Sequence, residues 1–99
     1  MQTHSITLGM NIPNAGTVTN QMWIDFLNVT VLASLEYATI TDSVGIYKGT
    51  LEKSKTISVT TEDPTAVDAL QKVGDAYKQA FNQDAIMYTV TAVPILQFT

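Results

Sequence analysis

The sequence predicts an α+β fold with the element order β-α-β-β-α-β: a ferredoxin-like, four-stranded antiparallel sheet with both helices on one face. Three observations predict it. Ile6, Leu8 and Met10 alternate with Ser5, Thr7 and Gly9, which marks a half-buried strand near the start of the chain. Two stretches with apolar residues at helical spacing lie on either side of a long alternating region, residues 37–60. An apolar strand over residues 85–93 completes the order.

Each element has its own justification. Residues 4–10 form the first strand, and the Asn, Pro and Gly content of residues 11–17 makes the next segment a loop. Trp23, Phe26, Leu27 and Val31 place a helix over residues 20–34, with Thr19 or Asn20 as its cap. Its last turn, Val29-Thr30-Val31, is β-branched and is expected to fray. Strands over 37–48 and 51–60 form a hairpin around Gly49-Thr50, so that Lys48 pairs with Leu51, Tyr47 with Glu52, and Gly45 with Ser54. Asp63 caps a second helix with Pro64 in its first turn, and Val67, Leu70, Val73, Tyr77 and Phe81 give it an apolar stripe. Pro94 interrupts the last strand before Ile95-Leu96-Gln97-Phe98.

Composition removes several classes of function. With 99 residues, 45% of them hydrophobic, residues 1–99 are expected to form a single ferredoxin-like domain with one modest core. There is no cysteine, which excludes thiol catalysis, disulfides and thiolate metal sites. The net charge is −4 with only five basic residues, three of them (Lys48, Lys53, Lys55) in the hairpin, so a phosphate backbone is not an expected partner. No apolar run is long enough to span a membrane, and residues 1–20 lack the pattern of a signal peptide. The expected location is cytoplasmic, where the Asn28-Val29-Thr30 sequon has no meaning.

Strand alternation puts Val44, Ile46, Ile57 and Val59 on the buried face of the sheet. The open face then holds Ser5, Thr7, Tyr47, Glu52, Ser54, Thr56, Ser58, Met87 and Thr89. A solvated face ordinarily has more Lys and Glu, so a ligand or a second subunit is expected to cover it, and a homo-oligomer is expected.

Candidate chemistry is sparse. His4, the only histidine, lies near a chain end and would have to act from a frayed position. Capping explains Glu62 and Asp63, while Asp68 and Asp75 point away from the apolar stripe. The glycines have no phosphate-loop spacing, and Met10, Met22 and Met87 read as core filler. No metal site and no cofactor is expected. Tyr47 and Glu52 remain, either as a cross-strand pair that stabilises the hairpin or as the rim of a binding site.

From Gly45 to the end, the chain resembles the phage-encoded S-adenosylmethionine lyases, long called hydrolases. The resemblance rests on Gly45-Ile46-Tyr47-Lys48, on Glu52 at the start of the next strand, on the alternating Thr56-Ile57-Ser58-Val59, and on Gln83-Asp84 leading into a strand near Tyr88. Leu8-Gly9-Met10, Trp23 with Phe26-Leu27, and Tyr77, Phe81 and Gln83 are also similar to a small bacterial family of unknown function. The lyase resemblance implies a PII-like trimer of ferredoxin-like subunits with interfacial active sites and S-adenosylmethionine as substrate. It implies that Tyr47 and Glu52 hold the substrate, with Ser54 and Gln83 as further substrate-binding candidates, although the loop between Tyr47 and Glu52 is shorter than in longer members. The implied reaction is attack by the substrate's own carboxylate on its γ-carbon, giving methylthioadenosine and homoserine lactone without a protein base. The alternative expectation is a non-catalytic PII-like module that binds a ligand or a protein partner, including a phage counter-defence role.

Overall fold

The computed structural model describes residues 1–93, so the expected interruption at Pro94 and the 95–98 segment lie outside the described residues. The main sheet consists of β1 (Gln2–Gly9), β4 (Thr39–Tyr47), β5 (Thr50–Thr61) and β6 (Met87–Ala92) in the order β4-β5-β1-β6, with every pairing antiparallel. Between β1 and the first helix lies a small hairpin of β2 (Asn11–Ile12) and β3 (Gly16–Thr17), a segment expected to be loop. No described helix is long and apolar enough to cross a membrane.

The first helical stretch begins as α1 (Asn20–Phe26), where the Thr19 hydroxyl accepts from the Met22 amide at 3.2 Å. The β-branched turn does not fray. It widens into a π-helical turn, Leu27–Val31, before α2 (Leu32–Ser34), and Val31 is buried. Helix α3 (Pro64–Ala80) starts where Asp63 accepts from the Thr65 amide at 2.9 Å. Asp63→Ala should therefore cost about 1 kcal/mol, read as a lower urea midpoint with an unchanged m-value.

The core lies between the helices and the two central strands. Ile6, Leu8, Ile57 and Val59 meet Trp23, Phe26, Val31, Leu70, Val73 and Tyr77. Phe26 contacts Tyr77 edge-on at 5.4 Å between centroids, and Phe81 stacks obliquely on Tyr77 at 4.8 Å.

Several sequence expectations need correction. The hairpin turn is Lys48-Gly49, not Gly49-Thr50, and pairs Tyr47 with Thr50 and Gly45 with Glu52. Both turn residues have positive φ, 50° and 76°, the twist that suits a two-residue hairpin. This register also sets Asp42 against Lys55, Ile40 against Ile57 and Ser43 against Ser54, all favourable cross-strand pairs. The displacement is two residues, so every side chain keeps its expected face.

Val44 and Ile46 are on the helix side but 64% and 76% exposed, because the helices cover β1 and β5 and stop short of β4. Met10 is buried as expected, whereas Met22 and Met87 are exposed. His4 is not frayed. It lies on an interior strand, is buried, and its Nδ1 contacts the Tyr88 hydroxyl.

Candidate functional site

The open face is a ladder of hydroxyl pairs. Thr3 and Thr60 lie 2.7 Å apart, Ser5 and Ser58 2.8 Å, and Ser43 and Ser54 2.6 Å, while the weaker Thr7–Thr56 pair is at 3.3 Å. These side chains satisfy one another, which explains how so uncharged a surface is built.

At the end of this ladder β1 finishes and Glu52 begins. Glycine flanks Glu52 on both sides: Gly45 is its partner on β4, and Gly9 lies one step diagonally away on β1. The carboxylate leans over Gly9. A Cβ there would meet Oε2 at 2.9 Å and both Cδ and Oε1 at 3.0 Å, so only glycine leaves the carboxylate its place. Oε2 accepts from the Asn11 amide at 3.2 Å. On the other side of Glu52, nothing lies within 4 Å of where a Gly45 Cβ would be.

Gln83, just beyond α3, donates from Nε2 to the Asn11 carbonyl at 2.7 Å and more weakly to the Phe81 carbonyl at 3.3 Å. The Tyr77 hydroxyl donates to the Gly9 carbonyl. Burial, and secondarily the Glu52 charge, pushes the Tyr77 phenol above its ordinary value of 10.0, so it stays protonated and remains a donor. The backbone from Gly9 to Asn11 is thus gripped by β5 through Glu52 and by the α3 end through Tyr77 and Gln83.

Two of the four sequence candidates, Glu52 and Gln83, therefore meet at Asn11. Ser54 is buried opposite Gly9, on the same face and one step along β5, and bonds to Ser43. Tyr47 shares the face one diagonal step from Glu52 but makes no hydrogen bond to the corner: it is 63% exposed near the hairpin tip, with the Lys48 ammonium 5.3 Å from its ring centre. Asn11 and Tyr77 were not singled out as site residues. Gly9 was the available signal, since a glycine that closes an apolar-alternating strand marks a close approach.

Among the described residues no lysine pairs with Glu52, and Oε1 has no hydrogen-bond partner. The corner thus offers an uncompensated negative charge with one oxygen fixed and the other available, which suits a cation or a pair of hydroxyls.

A family described as a protein of unknown function (DUF3574) matches residues 3–96. The chain belongs to this family. No curated protein matches it significantly in sequence. Among solved structures, the DUF3574 chain shares its fold with a phage SAM lyase in complex with S-methyl-5′-thioadenosine, at a TM-score of 0.65 and 18% identity over 91% of this chain and 79% of that one. A phage SAM lyase in the apo state gives a TM-score of 0.65 at 20% identity, covering 91% and 78%. The likeness spans nearly the whole DUF3574 chain, whereas the resemblance read from sequence began only at Gly45.

Proposed function

We propose that this chain is a carbon–sulfur lyase that cleaves S-adenosylmethionine to methylthioadenosine and homoserine lactone, in a site built around Glu52. The observation that carries the reading is the uncompensated Glu52 carboxylate, held by Asn11 above Gly9 on a fold shared with phage SAM lyase structures. The reaction balances within the substrate. A carboxylate oxygen forms a bond to the γ-carbon, the carbon–sulfur bond breaks, and its electron pair neutralises the sulfonium as the thioether leaves. No proton moves, so a chain without cysteine and with its single histidine buried needs no acid or base for this step.

The protein must supply a folded substrate conformer in a near-attack geometry. A carboxylate against the sulfonium itself would favour the ground state, because that positive charge vanishes in the transition state. Glu52 is better used on the ammonium group or the ribose hydroxyls, which keep their character throughout the step. Gln83 holds Asn11 and hence Glu52, Ser54 lines the same face, and Tyr47 packs on the substrate. Tyr47 is exposed one diagonal step from Glu52, and in a homo-oligomer, a PII-like trimer, it would complete the site of a neighbouring subunit.

The direct test is incubation of purified protein with S-adenosylmethionine and chromatography for methylthioadenosine. Formation no faster than in buffer would end the reading for that substrate. Sedimentation equilibrium should give three times the 10.8 kDa chain mass; a monomer would rule out an interfacial site.

The hydroxyl ladder favours a second reading, a non-catalytic module. Its paired side chains make a flat polar surface ready to pack against another protein. Calorimetry that detects adenosyl-ligand binding without product formation would select this reading.

A further inference from the structure

On the other side of the hairpin lies a groove whose β5 side chains, Leu51, Lys53 and Lys55, have no part in the proposed reaction. It encloses about 770 Å³ between the helix-side surface of β4–β5 and the segment running from β3 into α1. That volume is within the ordinary range of small-molecule sites, roughly 300–1,000 Å³. Val18 and Met10 form one wall, Val44 and Leu51 the other, and Lys53 and Lys55 stand between them. Strand alternation turns Glu52 to the opposite face of the sheet, so its carboxylate is not part of this groove.

The two lysines differ in a way that matters. Lys55 is fixed: it pairs with Asp42 and lies 5.5 Å from the centre of the Trp23 ring. Lys53 is exposed and, among the described residues, is the one lysine with neither a carboxylate nor an aromatic ring as partner. Among the described residues, Asp42 is the only carboxylate on the lining, so the groove is locally cationic in a chain of net charge −4. The β4–β5 wall is bare as well, with Leu51 71% and Val44 64% exposed, while Val18 and Met10 are buried. One unpaired cation beside a bare apolar wall is complementary to a molecule with an anionic head and an apolar body.

We infer that this groove is a second ligand site, which binds a small amphipathic organic anion with its carboxylate or sulfonate on Lys53 and its apolar body against Val44 and Leu51. The groove borders the proposed lyase corner through Asn11 and Ser54, but Lys53, Leu51 and Val44 lie outside that reaction's own side chains, Tyr47, Glu52 and Gln83.

The probe is 8-anilinonaphthalene-1-sulfonate, an aryl sulfonate with one negative charge, titrated against the full chain by fluorescence, with near-ultraviolet circular dichroism to verify native packing. Saturable binding of one probe per chain, displaced by octanoate but not by octylamine, is the expected result. Lys53→Gln should weaken it about tenfold, the effect of one charge-assisted contact, and Lys72→Gln should not. Leu51→Ser should also weaken it in a chain of unchanged circular dichroism. Equal affinities for Lys53→Gln and Lys72→Gln, non-saturable binding, or displacement by octylamine would each overturn the inference. So would a Leu51→Ser variant of reduced solution mass, which would make this wall a contact between copies of the chain. Glu52→Gln should bind the probe like the parent, so a failed lyase assay and a failed groove are separate outcomes.

Discussion

Under the proposed lyase reaction, Gly9→Ala should lower kcat/KM on S-adenosylmethionine about 100-fold while leaving the chain folded, the loss that displacing a positioning group by about 1 Å produces. The new Cβ would sit 2.9 Å from Glu52 Oε2 and 3.0 Å from Cδ, closer than carbon tolerates. Backbone on either side is fixed in the sheet, so the flexible carboxylate is what moves, and the bond from the Asn11 amide goes with it. Loss of that bond costs about 1 kcal/mol, which the better strand propensity of alanine over glycine largely offsets, at roughly 0.5–1 kcal/mol. The thermal midpoint should therefore shift by less than the roughly 4–8 °C that a full 1 kcal/mol gives in a domain of this size. Glu52→Gln keeps the shape and an acceptor for Asn11 but removes the charge, and should lose turnover to a similar extent. Retained activity in both variants, with native melting, would place the chemistry elsewhere.

How much of this was legible in the sequence differs from element to element. The strands, both helices and the two faces of the sheet follow from periodicity, because a two-residue repeat in Ile6–Met10 and a helical stripe in Val67–Tyr77 each have one reading. The hairpin register did not follow. Two adjacent two-residue turns are compatible with Lys48-Gly49-Thr50, and the choice depends on longer-range pairs such as Asp42 with Lys55. Nor did the bareness of Val44 and Ile46, since alternation assigns a side of the sheet but not how far the helices reach across it. Glu52 and Gln83 were singled out, but their meeting at Asn11 was not, because it requires knowing where β2 turns after β1. His4 was misjudged from its place near the chain end, whereas sheet order makes its strand interior.

The largest effect on stability should come from Tyr77→Ala. Tyr77 is fully buried, packs on Phe26 and Phe81, and ties α3 to the end of β1 through the Gly9 carbonyl. Truncating an aromatic in such a place costs about 3–5 kcal/mol, a large share of the roughly 5–15 kcal/mol that holds a domain of this kind together. A urea midpoint lowered by less than the equivalent of 2 kcal/mol would mean that the aromatic cluster is not the centre of the core. Tyr77→Phe separates the hydroxyl from the ring. At neutral pH it should cost about 1 kcal/mol, the value of one hydrogen bond. Its pH dependence is more telling. Because the folded chain holds the phenol above its unfolded value of 10.0, the contribution of Tyr77 is complete below pH 10. As pH rises beyond 10, the unfolded state ionises first, and stability falls by up to about 1.4 kcal/mol per pH unit until the folded phenol ionises as well. Phenylalanine has no such slope. The difference between parent and Tyr77→Phe should therefore shrink from about 1 kcal/mol at pH 8 to nearly nothing at pH 11. Urea titrations of both proteins at the two pH values read it directly. Parallel curves would mean that the phenol is not held protonated against the Gly9 carbonyl, and the anchor that positions Glu52 above Gly9 would have to be sought elsewhere.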